Sequence, residues 1–577
     1  GTNLDNTAMV TVAGHPARVL SVQGTTSAQV IVPVCLLPGS VAIRAQVRTA
    51  ATNEINGTYV ASASAVRLAV GEYAAIEPAV VAGCATFPAA GVLDSAEYLI
   101  APQAVTGTAG DSAPYRLRGD SSVVSIAMGE GRHAPRPLPF ALAFHDALRA
   151  TEAEMARLPR PPVGPRPMLS PQAPAVSMGD RRSFRVCSSL QCRELPDFQE
   201  ITAEVKYVGE HAAIFQDVTA PAGLSAEEFA QLGAIFDAEL YDVATTAFGA
   251  ESDVDQNVLV FILLTPVVNR LTPKSQCSQA FVTGFFHPVD IDPAFKQDQR
   301  SNQAEVFYAI VPDPTGSVTC NHTVSAVRTL VPVTFIHEFQ HMISYYQRVM
   351  LRGGNSSEEV WLNEAMSHLS EELAAHHFRV LGDQRKFSDF AIGDLVNAYK
   401  YLKDPGASFT LFKQGSGTLE ERGASWLFLR WVVDQFGDGV VRRLSETSLT
   451  GERNLAAATG EPVAQLLSQW FFANWVSDLP GFTAQSRLEY QTWNFRTVYA
   501  DLNRQAPTTF DRPYPLVPDV HLGGDFTVVG VLRAGSGDYF RVIQLPSQRG
   551  FALQFTDASG GPLPTAVPTR LNVIRIQ

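Results

Sequence analysis

The stretch FIHEFQHMISYYQ, residues 335–347, constrains this chain more than any other. Two histidines stand four residues apart, His337 and His341, about 40° from one another around an α-helix, so both imidazoles can reach a single ion. Glu338 follows the first histidine and is turned about 100° from it, which suits a carboxylate that reaches a water beside an ion rather than the ion itself. Phe335, Ile336, Phe339, Met342 and Ile343 surround the pair. A helix with such flanks is buried, and buried imidazoles must find partners or cost free energy. Pro332 suits a first helical turn and Gly353-Gly354 a stop, which sets the predicted limits of the helix.

A zinc ion that does chemistry takes three protein ligands and keeps a fourth position open. The next helical pattern supplies a candidate. Ser356 and Glu359 form an S-x-x-E capping box, predicted to open a helix through SSEEVWLNEAMSHLSEELAAHHF. Leu362, Met366, Leu369 and Leu373 make its apolar stripe. Glu364 lies about 160° from Leu362, and His368 and Glu371 share its face. The spacing from His341 to Glu364 lets one helix end and a second fold back across it, so that His337, His341 and Glu364 face one point. His368 is a competing ligand. Glu371 is a candidate acceptor for the second N–H of a ligand imidazole.

The chain has 577 residues, more than one core usually organises, so several domains are expected. Residues 1–125 carry short Val/Ala/Thr-rich runs broken by turn residues, the pattern of an antiparallel β-sandwich. Residues 126–180 hold a helical stretch, ALAFHDALRATEAEMARL, and then a linker, PRPPVGPRPMLSPQAP, whose prolines exclude both helix and central strand. Residues 181–510 run from strands to long helices, an α+β catalytic domain. Alternation returns in residues 511–577, the pattern of a C-terminal β-domain.

Acidic residues number 57 against 44 basic ones, a net charge of -13 that repels phosphate backbones and anionic lipid, so no nucleic-acid partner is expected. The longest apolar run, VLVFILL at 258–264, reads as a buried central strand, and no membrane insertion is expected. The N-terminal residues GTNLDNTAMV lack a basic segment followed by an apolar one, so any export signal or propeptide is expected to precede this sequence. Cys187 and Cys192 can close a small loop, and Cys35 with Cys84 and Cys277 with Cys320 are the natural remaining pairs, with connectivity left open. Disulfides imply a secreted, extracellular protein. A monomer is expected.

HEFQH followed by WLNEAMSHLSEE looks like the glutamate-type zincins. The segments KYVGEHAAIFQD, VLVFILLTPVVN, AEVFYAIVPDP, VTFIHEFQHMIS and VWLNEAMSHLSEEL, in that order across about residues 200–440, resemble the hyicolysin-type neutral zinc metallopeptidases. The resemblance implies a zincin-like fold, Zn2+ held by His337, His341 and Glu364, Glu338 as general base, and protein or peptide substrates; the related aminopeptidase pattern supports Glu371 behind a ligand histidine. The flanking β-regions look like accessories of bacterial relatives. Ala365 stands where the aminopeptidases have glycine, and no G-A-M-E-N-like segment precedes HEFQH, which favours an endopeptidase over a zinc aminopeptidase. A noncatalytic binding protein on a degenerate protease scaffold is the reading from another class; the intact Glu338 argues against it.

A donor to the developing oxyanion is expected from the pool His376, His377, Tyr399 and Tyr401. Asp253-Val-Asp255-Gln-Asn257 starts like a calcium loop, but Val258 and Leu264 stand where that loop needs glycine and glutamate, so a turn before a strand is predicted. Asp290 and Asp292 read as a solvated turn. Asn56, Asn321 and Asn355 fall in N-x-S/T frames. G-x-S-x-G and phosphate-cradling glycine loops are absent from the sequence.

Overall fold

A computed structural model of the chain describes residues 176–413 and 415–577 without a break, and 140–161 and 163–164 ahead of them. In the N-terminal third it describes residues 4–5, 7–32, 35–37, 39–47, 50–51, 54–60, 64–79, 83–105, 108–119 and 126–127. The molecule mixes α and β in several domains. Most of the predicted proline-rich linker lies outside the described residues.

The first strands, between Met9–Val12 and Ile55–Tyr59, form a six-stranded sheet over a small core of Val10, Val12, Ala17, Leu36 and Val41. The strands that follow do not close a separate N-terminal unit. Strand Ala96–Ala104 lies between Phe540–Gln544 and Thr569–Arg575, and Ser112–Gly119 lies between Thr527–Arg533 and Phe551–Asp557, all antiparallel. The two β-rich ends of the sequence, expected to stand apart, therefore alternate in two shared sheets. The physical reason is visible in Ala96–Ala104, which is buried at every position and so needs cover on both faces. Tyr98 and Ile100 pack with Leu117, Val542 and Leu553 into the core between the two sheets, whereas Leu99 and Ala101 join the large core of the helical region. Disulfide Cys35–Cys84 ties the first sheet to this unit, and Cys187–Cys192 and Cys277–Cys320 are also closed, the pairs expected from the sequence.

The next region holds a six-stranded mixed sheet, with β1 (Arg181–Cys187), β2 (Phe198–Val208), β3 (Ala212–Asp217), β4 (Val260–Leu264), β5 (Gly284–Phe286) and β6 (Val306–Ala309) in the order β1-β2-β3-β4-β6-β5. Strands β3, β4 and β6 are parallel, and β5 runs antiparallel to β6. All of β4 is buried, as its apolar run predicts. Helix α1 (Phe140–Met155) precedes the sheet in sequence and packs against β5, with the Phe144 and Phe285 rings 5.2 Å apart. Helices α2 (Val324–Tyr345), α3 (Val360–Val380), α4 (Gln384–Lys403) and α5 (Leu419–Phe436) follow.

Two predicted helix starts move. Helix α2 opens at Thr323, whose hydroxyl accepts the Ala326 N–H at 3.1 Å, so Pro332 lies inside it. Proline cannot bond back to the preceding turn, and the rest of the helix holds that position through packing. Helix α3 opens at Val360 without a side-chain cap from Ser356 or Glu359. Its start is held by Glu358, whose carboxylate accepts from the N–H groups of Glu359 (2.8 Å) and Gly451 (2.7 Å), from Asn454 Nδ2 (2.6 Å) and from Arg348 Nη2 (2.7 Å). Arg348 comes from a π-helical turn, Tyr346–Leu351, that continues α2 before Gly353 (φ +64°) ends it.

Candidate metal centre

Helices α2 and α3 cross with His337, His341 and Glu364 facing each other. His337 Nε2 is 3.7 Å from Glu364 Oε2, and His341 Nε2 is 3.6 Å from Glu364 Oε1. Ligands at about 2.1 Å from a tetrahedral ion stand about 3.4 Å apart, and each imidazole stands near that distance from a different oxygen of the Glu364 carboxylate. The set of two imidazole nitrogens and one carboxylate oxygen is the chemistry zinc accepts.

Glu371 fixes the first imidazole. Its Oε1 is 2.6 Å from His337 Nδ1; a carboxylate only accepts here, so Nδ1 carries a hydrogen and Nε2 is the nitrogen that faces Glu364. His368 lies behind this pair, its ring 5.0 Å from that of His337 and its Nδ1 3.2 Å from Glu371 Oε1 and 2.8 Å from Asp394 Oδ1. His337 thus belongs to two close groups among the described residues, one with Glu338 and His341 and one with His368 and Glu371, the latter on its Nδ1 side.

Burial and the charges nearby act in opposite directions on the three donors. Burial lowers the His337 pKa, but hydrogen bonds to Glu364 and Glu371 outweigh it and raise it to about 9. Burial and the Arg149 charge push His341 well below the ordinary histidine value; its Nε2 lies 3.1 Å from the Ser367 hydroxyl, and its Nδ1 has no hydrogen-bond partner among the described residues. Burial raises Glu364, but Arg422, His337 and His341 together hold it well below the usual carboxylate range. An ionised carboxylate buried beside a neutral imidazole fits a bound cation.

Glu338 sits beside these groups and is 1% exposed. Its Oε2 accepts the Phe286 N–H of β5 at 3.1 Å and lies 3.6 Å from Arg149 Nη2; its Oε1 is 3.9 Å from His145 Nδ1. Burial raises its pKa against the pull of Arg149 and His337. His145 and Arg149 both come from α1, and burial together with Arg422 lowers His145 to about 3. Arg149 is clamped by Glu152 at 2.6 Å, while its Nη2 has no hydrogen-bond partner among the described residues. These two residues, and Arg422 3.9 Å from Glu364, were not singled out in the sequence. The available signal was a histidine and an arginine four apart, each directly after a buried apolar residue, Phe144 and Leu148.

The chain is 26% identical over 175 residues to the Neutral metalloprotease ShpI of Staphylococcus hyicus. A metalloprotease is among its relatives. The match covers 30% of this chain and 36% of that protein, so the chain spans little more than a third of that relative's length. No family model matches the chain.

The expected oxyanion donors make their bonds elsewhere. His376 Nε2 is 3.1 Å from Glu372, His377 pairs with Glu239, Tyr399 donates to Asp511 at 2.8 Å, and Tyr401 is 3.2 Å from Ser536 Oγ. Arg149, His145 and Arg422 are the groups found beside Glu338 and Glu364 instead. Asp290 and Asp292 are not a solvated turn: both are buried, bonded to the hydroxyls of Tyr308 (2.5 Å) and Tyr345 (2.6 Å).

Proposed function

We propose that this chain is a secreted zinc-dependent endopeptidase, with a zincin-like catalytic domain in residues 181–510 and the interleaved sheets as an accessory unit that helps to engage protein substrates. The observation that carries the reading is the convergence of His337, His341 and Glu364, with Glu338 beside them. The relative named a neutral metalloprotease supports it. Three disulfides, and the absence among the described residues of a helix long and apolar enough to cross a membrane, support an extracellular setting.

His337, His341 and Glu364 would hold zinc, which when bound supplies a Lewis acid for the scissile carbonyl and draws the pKa of water toward about 7. Glu338 takes the proton of the attacking water on its carboxylate and returns it to the leaving amine. The Phe286 N–H keeps that carboxylate oriented. Arg149, whose Nη2 makes no hydrogen bond among the described residues and lies 3.6 Å from Glu338, brings positive charge for the oxygen that becomes negative. Glu371 holds the His337 ring in the tautomer a ligand needs. Arg149 and Arg422 also repel the α-ammonium that an aminopeptidase must bind, which favours internal cleavage.

Two experiments test the reading. Digestion of casein and of an N-terminally blocked peptide should stop with a zinc chelator and return with added Zn2+. Undiminished cleavage in chelator overturns zinc catalysis, and cleavage confined to substrates with a free N-terminus makes the enzyme an aminopeptidase. Absence of cleavage in the zinc-loaded chain would favour the binding protein. Separately, Glu371→Gln replaces a charged acceptor by a neutral one and should weaken zinc affinity by about 10–100-fold, measured by competition with a chelating dye; an unchanged affinity removes Glu371 from its role.

A further inference from the structure

A second group of carboxylates lies away from this centre. Single oxygen atoms of Asp253, Asp255 and Glu305 all fall within 4.8 Å of one another. Asp253 and Asp255 belong to the turn ahead of β4, and the turn forms as its sequence predicts. Asp253 Oδ1 accepts the Val258 N–H at 3.1 Å, Asn257 Oδ1 accepts the Leu259 N–H at 2.7 Å, and Asp255 Oδ2 accepts from Asn257 Nδ2 at 2.7 Å. These bonds account for the turn without involving Glu305.

Glu305 is the independent observation. It comes from the far side of the sheet sequence, just before β6, and is 1% exposed. Its Oε1 accepts the Ser252 hydroxyl at 2.6 Å and the Val254 N–H at 3.0 Å, the two residues flanking Asp253, so the carboxylate is held facing the turn. Its Oε2 is buried and has no hydrogen-bond partner among the described residues, and the same is true of Asp255 Oδ1. A buried carboxylate oxygen left without a donor costs free energy unless a proton or a cation meets it. Arg182 brings one positive charge, with Nη1 3.8 Å from Asp255 Oδ2, while its Nη2 donates to the Asn302 carbonyl at 2.6 Å. Burial pushes Glu305 up to about 8 and Asp255 to about 6, the mark of acids short of positive charge.

We propose that Asp253, Asp255 and Glu305 form a Ca2+ site separate from the catalytic centre. The donors are all oxygen, which selects a hard ion and disfavours zinc. Ca2+ takes oxygens at about 2.4 Å, so ligand oxygens up to about 4.8 Å apart can share one ion, and its flexible shell tolerates an irregular turn better than the rigid octahedral shell of Mg2+. The site joins the leading ends of two adjacent strands, since Phe261 of β4 pairs with Val306 of β6 immediately beside it. Calcium would therefore fasten the turn to the parallel core of the sheet against which α2 packs.

The test uses the full chain, stripped of divalent ions and reloaded with one equivalent of Zn2+. Titration with CaCl2 should raise the melting temperature by roughly 2–4 °C at saturation, with half the effect at about 10⁻⁴–10⁻³ M and a smaller response to MgCl2. Equilibrium dialysis with radioactive calcium should find one ion per chain. Asp253→Asn with Asp255→Asn, two partly exposed positions, should abolish both responses while leaving the chain folded, and Glu305→Gln should abolish calcium binding in the same dialysis. No bound calcium in the parent, or binding unchanged in these variants, overturns the site. A parent that ignores calcium, together with a Glu305→Gln chain that melts at the parental temperature, would show that Glu305 is simply a protonated acid.

Discussion

Glu338→Gln should lower the rate of peptide-bond hydrolysis by about 10²–10⁴-fold, the range removed with a positioned general base, while leaving the zinc content unchanged. The substitution keeps size and shape. A glutamine carbonyl still accepts the Phe286 N–H, now 3.1 Å from Glu338 Oε2, and Arg149 keeps Glu152 at 2.6 Å as its counterion. What the variant loses is the only thing the mechanism asks of residue 338, a carboxylate that takes a proton. Glu364→Ala tests the neighbouring role, since it deletes the carboxylate whose two oxygens face the two imidazoles and should strip zinc and activity together. Zinc measured by atomic absorption beside casein turnover separates the two. A Glu338→Gln chain that keeps parental turnover would end the general-base assignment, and one that loses zinc would make Glu338 a ligand.

Local periodicity made the helical pair legible, because helix pitch alone puts His337 beside His341 and turns Glu364 away from the Leu362 stripe. The structure brings those three side chains within 3.7 Å of their neighbours. Local patterns are silent about partners distant in sequence. Ala96–Ala104 reads as a strand, yet nothing in its residues names Phe540–Gln544 and Thr569–Arg575 as its neighbours. The helix α1 was readable from its pattern, but the same blindness hid its place, where His145 and Arg149 meet Glu338 across nearly 200 residues of chain. Capping was misread for a more local reason. Ser356 and Glu359 have the spacing of a capping box, but Glu358 between them is engaged by four donors, and that tertiary network outweighs a single surface cap. At Asp253 and Asp255 the turn was readable; Glu305, contributed from another strand, was not.

That network at Glu358 carries the second large effect. Glu358→Gln should destabilise the fold by about 3–5 kcal/mol, the usual result of breaking a buried ion pair from one side. Both side chains are fully buried and 2.7 Å apart, and Arg348 also donates to the carbonyls of Leu444 (2.9 Å) and Leu449. Burial raises Glu358 and lowers Arg348 against their mutual attraction, so each charge depends on the other being present. Glutamine leaves a guanidinium in the interior without its anion. Arg348→Met combined with Glu358→Gln removes that stranded charge and should recover part of the loss, as replacements of whole buried pairs do; recovery stays incomplete because the Gly451 N–H and Asn454 still need acceptors. Urea unfolding of the parent, the single variant and the double variant measures the difference. Because Arg348 ends α2 and Glu358 begins α3, loosening this link also loosens the spacing of His341 from Glu364, so zinc affinity should fall in the single variant and return in step with stability in the double. Zinc affinity that stays at the parental value while stability falls would mean that the helix crossing, rather than the connection after it, sets the distance between the donors.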